Sequence, residues 1–570
     1  MREASKSAAD PHQSLRSIDV LVVDCQASGA TPAHGDLLEL AWACCGERGV
    51  YEPIRGHWIK PRTERPIPRA VRELTGWSEA RVAESLDEHE AWSQLRISMQ
   101  EHGLPERAPT LIHFARFETP FLRDLHARLE AQAEFPFEIR CLHAIAIRLF
   151  PDLPRLNIRA LSGFLGHSAE LTRSAHGHAL ASAFIWRALL PHLEAQGVTT
   201  WSELTAWLDK PAAKGRRGPG QRVYPLALER RRSLPDRPGV YRFLRSNTSV
   251  LYVGKAASLK KRIAGHFSRR GPSTERGLEL LSQVHDIAVT ETASVLEAAL
   301  LETDEIKRID PPYNVQLRKG ERHAWFASTD LQTAQPSADP GFVLGPLPSE
   351  RALISLAALC ALVSGEAPTK ALCAMALAVP SAYLPDPELF ALGFQGFLQN
   401  HLANRAGRPR RRTLMAARAL FVARGRSEPT SASEDAEPDA WDLARVHRRL
   451  ERALISGGLL VRRAALLRLL ADCEIAYREA SMTSARSLVV VRGQLAASDL
   501  ARVDQLRELP RRSKLSAAER RACFDAATYD RLRVLTTELL RVLQEGGEVA
   551  LRVGGHVFEG QRLRGLFGAI

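Results

Sequence analysis

The segment from Pro238 to Phe267 constrains this chain more than any other. Two short runs, Gly239-Val-Tyr-Arg-Phe-Leu244 and Val250-Leu-Tyr-Val253, are rich in β-branched and aromatic residues and meet through Asn247-Thr248. That pattern predicts a β-hairpin. Each strand brings a glycine and a tyrosine, Gly239 with Tyr241 and Tyr252 with Gly254. Ser258 then offers an N-cap for a helix over residues 259–267, which opens with Leu259 and Lys260-Lys261-Arg262. On that helix Arg262 and His266 stand four apart and share one face. A guanidinium and an imidazole stacked in this way could both reach one phosphate.

A second helix is predicted downstream. Ser294-Val-Leu-Glu297 fits a capping box, which gives Glu297 a structural task. At about 100° per residue, Glu302 falls among Val295, Ala299 and Ile306, on the apolar stripe. A carboxylate on a buried face is costly unless something pairs with it, and a metal ion is one such partner. Glu297 falls on the opposite, polar side with Asp304 and Arg308. The pattern therefore selects Glu302 as the candidate metal ligand.

This ordered set, extended by Leu300-Leu301-Glu302, Ile306-Lys307 and Pro312-Tyr313-Asn314, resembles the core of the GIY-YIG nucleases. It is most similar to the nuclease module of the bacterial excinuclease C subunit and its Cho-type relatives. The resemblance implies metal-assisted hydrolysis of a DNA phosphodiester, with Mg²⁺ or Mn²⁺ held by Glu302. Tyr252 would act as general base on the attacking water, with Lys255 or Arg262 supplying the cation that its high ordinary pKa demands. Arg262 would stabilise charge on the phosphate. Tyr241 and Asn314 would position water and the other side chains, and His266 stands where homing-type relatives also carry histidine. Lys260, Lys261, Arg269 and Arg270 would track the DNA backbone.

Upstream, Ile18-Asp-Val-Leu-Val-Val23 is a near-continuous apolar run suited to a sheet buried on both faces. Val22-Val-Asp24, Gly35-Asp-Leu-Leu-Glu-Leu-Ala41, Leu74-Thr-Gly76, His113-Phe-Ala-Arg-Phe-Glu118 and Ala179-Leu-Ala-Ser-Ala183 follow in order. Residues 18–190 thereby resemble the DEDDh, or DnaQ-like, 3′–5′ exonucleases such as the proofreading epsilon subunit of DNA polymerase III. That implies an RNase H-like α/β fold. The family's four carboxylates and histidine are mostly missing. Asp24 remains, Gln26 replaces the next acid, and Glu118 is longer than the usual aspartate. Ser182 stands at the third acidic position and Gly177 at the histidine position, flanked by His176 and His178. Two cations side by side need several anionic oxygens, so this unit is expected to bind DNA or a protein rather than cut.

The 570 residues predict three or four domains at about 100–200 residues each. The expected architecture is multidomain α/β: a disordered stretch over 1–17, the exonuclease-like unit over 18–208, a Gly/Pro/basic linker over 209–223, the small α/β nuclease unit over 224–331, and a mostly helical region over 340–570. The last contains a low-complexity break at 427–439, and strands are expected at Leu488–Arg492 and Val549–Val553 around a Gly554-Gly555 turn. A formal charge of +13 favours a polyanionic partner, and Arg405 to Arg426 is a candidate phosphate-contacting stretch. The eight cysteines form no C-x-x-C pair, which argues against a zinc finger or a disulfide scaffold. With no signal peptide or membrane-spanning run, the expected setting is the bacterial cytoplasm and its nucleoid.

Missing from the last third is the second nuclease domain of full-length excinuclease C subunits, which favours a single incision. The expected function is a structure- or damage-directed DNA endonuclease of the excision-repair kind. Damage-recognition excinuclease subunits are possible partners, and so is a sliding clamp, through Gln561-Arg-Leu-Arg-Gly-Leu-Phe567. A DnaQ-like proofreading exonuclease and a non-catalytic DNA-binding scaffold are the alternatives.

Overall fold

The computed structural model describes residues 12–167, 173–211, 222–268, 274–315, 317, 323–424, 441–500, 502–507 and 515–567. The N-terminal unit is a five-stranded sheet of β1 (Val20–Ala27), β2 (Leu37–Gly46), β3 (Gly49–Trp58), β4 (Ala108–Ile112) and β5 (Phe137–Cys141), ordered β3-β2-β1-β4-β5. The first three strands are antiparallel, and β4 and β5 run parallel to β1. This is the RNase H-like arrangement. The apolar run of β1 has its reason here. Val20 and Val22 join a core with Leu161 and Trp186, while Leu21 and Val23 join a second core with Trp42 and Trp92. The unit also begins earlier than its apolar pattern suggests. Leu15 is buried and donates its N–H to Thr199 O at 2.8 Å, so residues 12–17 pack on the domain instead of lying free.

The middle unit is a three-stranded antiparallel sheet of β6 (Gly239–Leu244), β7 (Val250–Ala256) and β8 (Asp286–Glu291), ordered β7-β6-β8. The helix Leu259–His266 packs Leu259 and Ile263 into a core with Tyr241 and Phe243. The helix Val295–Ile309 packs Ala298 and Ile306 against Val240 and Val253, on the other face. Contacts bind this unit to the N-terminal one: Asn157 Nδ2 donates to Glu279 Oε2 at 2.9 Å, and the Arg155 N–H donates to Ser282 Oγ at 3.0 Å.

The C-terminal region starts before residue 340. β9 (Trp325–Ala327), β10 (Ala334–Gln335) and β11 (Leu344–Leu347) form a small sheet. Ala324 and Phe326 are buried in one core with Leu467, Leu532 and Leu563 of this region and with Leu296 and Leu300 of the nuclease unit, so β9 packs where the two meet. Helices follow, ending in the long helix Leu443–Leu470. A five-stranded antiparallel sheet then forms from β12 (Cys473–Arg478), β13 (Ala485–Val491), β14 (Gln494–Leu500), β15 (Glu548–Val553) and β16 (His556–Phe558), ordered β14-β13-β12-β15-β16. Both expected strands lie in it, and Gly554-Gly555 turn between β15 and β16. Leu563 and Phe567 are fully buried, so the tail proposed for a sliding clamp is part of the core. Linker residues 427–439 and 212–221 lie outside the described residues. No described helix is long and apolar enough to cross a membrane.

Candidate active site

Strand register places the two tyrosines. Tyr241 stands opposite Gly254, and Phe243 opposite Tyr252. Alternation along a strand then puts all four on one face, with the tyrosine ring centroids 6.0 Å apart. A Cβ on Gly254 would lie 2.6 Å from the Tyr241 ring and hydroxyl and 2.7 Å from the Tyr252 ring. Glycine at 254 is what lets both rings occupy the same spot on the sheet.

β7 is an edge strand, and its outward backbone groups need partners. The Val253 N–H donates to Asn314 Oδ1 at 3.0 Å, and Asn314 Nδ2 donates back to Val253 O at 2.9 Å. Two residues on, the Lys255 N–H donates to Glu302 Oε1 at 2.9 Å. Asn314, expected to position water and the other side chains, thus uses both ends of its amide on the backbone beside Tyr252. It fixes the strand that carries Tyr252.

Glu302 faces a cleft of about 640 Å³ lined also by Tyr252, Lys255, Ser258, Lys261 and Arg262. Burial raises its carboxyl above the ordinary range. The Lys255 N–H and ammonium oppose that, Glu538 adds to it, and Arg262 opposes it. Tyr252 is raised too, by burial and then by the Glu302 charge, with Arg262 pulling it down. Arg262 is therefore the cation acting on Tyr252. The ammonium of Lys255, the other candidate for that task, pairs with Glu538 of the helix Ala526–Gln544.

Tyr241 is fully buried, and its hydroxyl lies 2.8 Å from His266 Nε2. Burial, helped by Arg262, pushes His266 down to about 4, so its imidazole is neutral near pH 7. Arg262 and His266 share a helix face as expected and both reach the Tyr241 hydroxyl. Arg262 lines the cleft as well. Lys260 and Lys261 are exposed, Lys261 lying 3.9 Å from Asp236. Arg269 and Arg270 lie outside the described residues. Ser294 Oγ accepts the Glu297 N–H at 3.1 Å, as a cap should. The Glu297 carboxylate has a structural task as expected: it accepts the Ala293 N–H at 3.4 Å at the helix start and Arg486 Nε at 2.7 Å, in the interface with the C-terminal sheet.

A family model described as the UvrC-like GIY-YIG domain matches residues 237–315. Those residues are a UvrC-like GIY-YIG domain. The UvrABC system protein C of Alkalilimnicola ehrlichii is 42% identical over 129 residues, 21% of each chain. A Mycobacterium tuberculosis protein, provisionally named a bifunctional exonuclease/endonuclease, is 30% identical over 369 residues, 62% of this chain and 53% of that one. The crystal structure of the GIY-YIG N-terminal endonuclease domain of UvrC from Thermotoga maritima, bound to magnesium, is 29% identical. It covers 15% of this chain and 93% of that domain, with a TM-score of 0.14. The chain spans about a fifth of the length of the curated UvrC relatives it matches, and the GIY-YIG domain is what they share.

The N-terminal unit gathers its own polar cluster, apart from the GIY-YIG domain. Asp24 is buried with its Oδ2 3.3 Å from His178 Nδ1. Glu118 Oε2 accepts the Cys25 N–H at 2.8 Å. Gln26 Nε2 donates to Arg173 O, and Ser182 Oγ is buried. Gly177, at the expected histidine position, donates its N–H to Ser174 Oγ at 3.2 Å as part of the helix cap. His178, one residue on, is the histidine that reaches Asp24. Glu39 was missed. Burial raises it to about 7, its Oε2 accepts the Ala175 N–H at 2.8 Å, and the Asp24 charge adds to the rise. Among the described residues no three His, Cys, Asp or Glu side chains converge as a metal site.

Glu538 was missed as well, although its sequence signal matches that of Glu302. It sits one turn from Leu535 and Val542 and beside Leu539, all buried, a carboxylate on an apolar stripe.

Proposed function

We propose that the chain is a DNA endonuclease that hydrolyses one phosphodiester in the GIY-YIG cleft, using Mg²⁺ or Mn²⁺. It would cut a single strand near a lesion or an unusual structure and leave 5′-phosphate and 3′-hydroxyl ends. The observation that carries this reading is the convergence of Tyr252, Arg262 and Glu302 on one open cleft beside a basic helix. Support comes from the similarity to UvrABC system protein C.

The donor set fits a hard divalent cation. Mg²⁺ keeps several waters and takes one or two carboxylates together with substrate phosphate oxygens. Glu302 is a carboxylate whose Oε1 is fixed by a backbone N–H, while its Oε2 accepts no hydrogen bond among the described residues. The cleft has room for waters and a phosphate. When bound, the cation supplies Lewis-acid stabilisation of the leaving oxygen. The residues of the chain do the rest. Tyr252 takes the proton of the attacking water, Arg262 offsets charge on the phosphate, and His266 and Gly254 hold Tyr241 in place beside them. Lys260 and Lys261 neutralise backbone phosphates. DNA is the substrate partner on this reading, and damage-recognition excinuclease subunits are the protein partners that would load it.

The test is incision of end-labelled duplexes, plain or with a bulky adduct or bubble, by wild type, Glu302→Ala and Asp24→Ala. Internal cuts lost only in Glu302→Ala are expected. One observation supports a second reading, the contact of His178 with Asp24. Stepwise shortening from a 3′ end, lost in Asp24→Ala, would establish that exonuclease instead.

A further inference from the structure

The GIY-YIG domain is not alone at its own cleft. The helix Ala526–Gln544 lies along the helix Val295–Ile309 that carries Glu302. Its Asp530 pairs with Lys307 at 2.8 Å and its Arg531 with Asp304 at 2.8 Å. Glu538, on the same helix, has its side chain 5% exposed and takes the Lys255 ammonium. Its other oxygen accepts from Arg541 Nε at 2.7 Å, and Arg541 also donates to Glu479 at 2.8 Å. Glu479 in turn accepts the Val295 and Leu296 N–H groups at 3.2 and 3.0 Å, the first turn of the Glu302 helix. A continuous chain of alternating charge thus runs from Lys255 through Glu538, Arg541 and Glu479 to the helix that carries Glu302.

Lys255 is consequently held twice. Its backbone N–H grips Glu302 Oε1, and its ammonium is drawn to Glu538. Neutralising Glu538 would release the Lys255 ammonium, whose side chain is 35% exposed, to interact with another carboxylate. For Lys255 that other carboxylate is Glu302, with which it already interacts and which lines the same cleft.

Building on the endonuclease reading, we propose that Glu538 is a positioning residue supplied to the GIY-YIG cleft by the C-terminal domain. By holding the Lys255 ammonium it keeps Glu302 free to take a divalent cation. The cleft is then complete only in the presence of a domain outside the segment matched by the UvrC-like family model. Partners at one remove from a metal ligand commonly change metal affinity by about 10- to 100-fold, and a change of that size is expected here.

The experiment uses the full chain and four variants: Glu538→Gln, Lys255→Met, the double variant and Glu302→Gln. Mn²⁺ binding is read by titration calorimetry, incision is read across Mn²⁺ concentrations, and thermal unfolding confirms that each variant folds. Glu538→Gln should weaken Mn²⁺ binding about tenfold and raise the Mn²⁺ needed for half-maximal incision equally, with the maximal rate retained. The double variant should recover wild-type Mn²⁺ affinity, because no ammonium is left to compete. A purely structural role for Glu538 would not be rescued by deleting Lys255. Unchanged Mn²⁺ affinity in a folded Glu538→Gln, or an equally weak double variant, overturns the proposal. Loss of binding in Glu302→Gln, with incision intact in wild type, shows that the underlying endonuclease reading stands while the role of Glu538 is judged. Mn²⁺ binding that is indifferent to Glu302→Gln sinks both.

Discussion

The N-terminal unit sets a buried carboxylate, Asp24, beside a histidine, whereas the GIY-YIG domain sets Glu302 beside a tyrosine and an arginine at a cleft. In the first, Glu118 is taken by the Cys25 N–H, Gln26 by Arg173 O, and Glu39 by a helix N-terminus. Each of those bonds takes one polar atom, and Gln26 Oε1 and Ser182 Oγ stay buried without a hydrogen-bond partner among the described residues. In the second, backbone groups take only one oxygen of Glu302, and Tyr252 and Arg262 line the same cleft. A site capable of chemistry keeps part of its polar capacity for something outside the chain. In the N-terminal unit the uncommitted oxygens are buried, whereas those of the GIY-YIG domain line an open cleft.

The strongest way to break this comparison is to remove one acid from each unit. Glu302→Gln should lower incision of end-labelled duplex by about a thousandfold, the scale of losing a principal transition-state electrostatic partner. Asp24→Ala should leave it within about twofold, since no transition-state contact is lost there. Equal losses would erase the distinction. Tyr252→Phe should cost about a hundredfold, as expected for a general base. Because burial and Glu302 raise the Tyr252 phenol above its ordinary value of about 10, the wild-type rate should keep climbing from pH 7 to pH 9. A plateau in that range would assign the proton transfer to another group.

Stability gives a subtler contrast, with opposite signs in the two units. His266 is lowered to about 4, so its folded form binds protons less readily than the unfolded chain. Its contribution is complete above about pH 6.5 and is lost as pH falls toward 4. Glu39 is raised to about 7, so its contribution is complete below about pH 4.5 and is lost as pH rises through 7. Between pH 7 and pH 5, the GIY-YIG domain should lose about 2 kcal/mol through His266 and the N-terminal unit should gain about 2 kcal/mol through Glu39. Urea titrations probed by domain-specific proteolysis at both pH values, with His266→Gln and Glu39→Gln as references, would show the two slopes vanish one at a time. The smallest expected effect is Lys260→Ala. It should reduce the salt slope of DNA binding by about one, as read by fluorescence anisotropy, and leave the cut position unchanged.

Much of the GIY-YIG site was legible in the chain itself because its determinants are local. A hairpin register set by two strands joined by a short turn places Tyr241 opposite Gly254, and helical periodicity alone puts Glu302 on an apolar stripe and Ser258 at a helix start. The apolar run of β1 announced a strand buried on both faces, while the RNase H-like sheet was implied by the resemblance to the DEDDh exonucleases. The pairing of residues far apart in the chain was not legible. Nothing near Lys255 announces Glu538, and nothing near Glu297 announces Arg486, because ion pairs across a domain interface carry no periodicity. The task of Asn314 escaped for the same reason, since its partner is an edge-strand backbone that only the folded sheet defines. His178 reached Asp24 from a position one residue off the family pattern because a helix turn, not a motif, decides which side chain faces the strand. The sequence by itself determined which residues could do chemistry, through local spacing and burial pattern. Tertiary structure alone decided which of them are spent on the protein and which remain free, because that depends on what the rest of the chain brings within hydrogen-bonding distance.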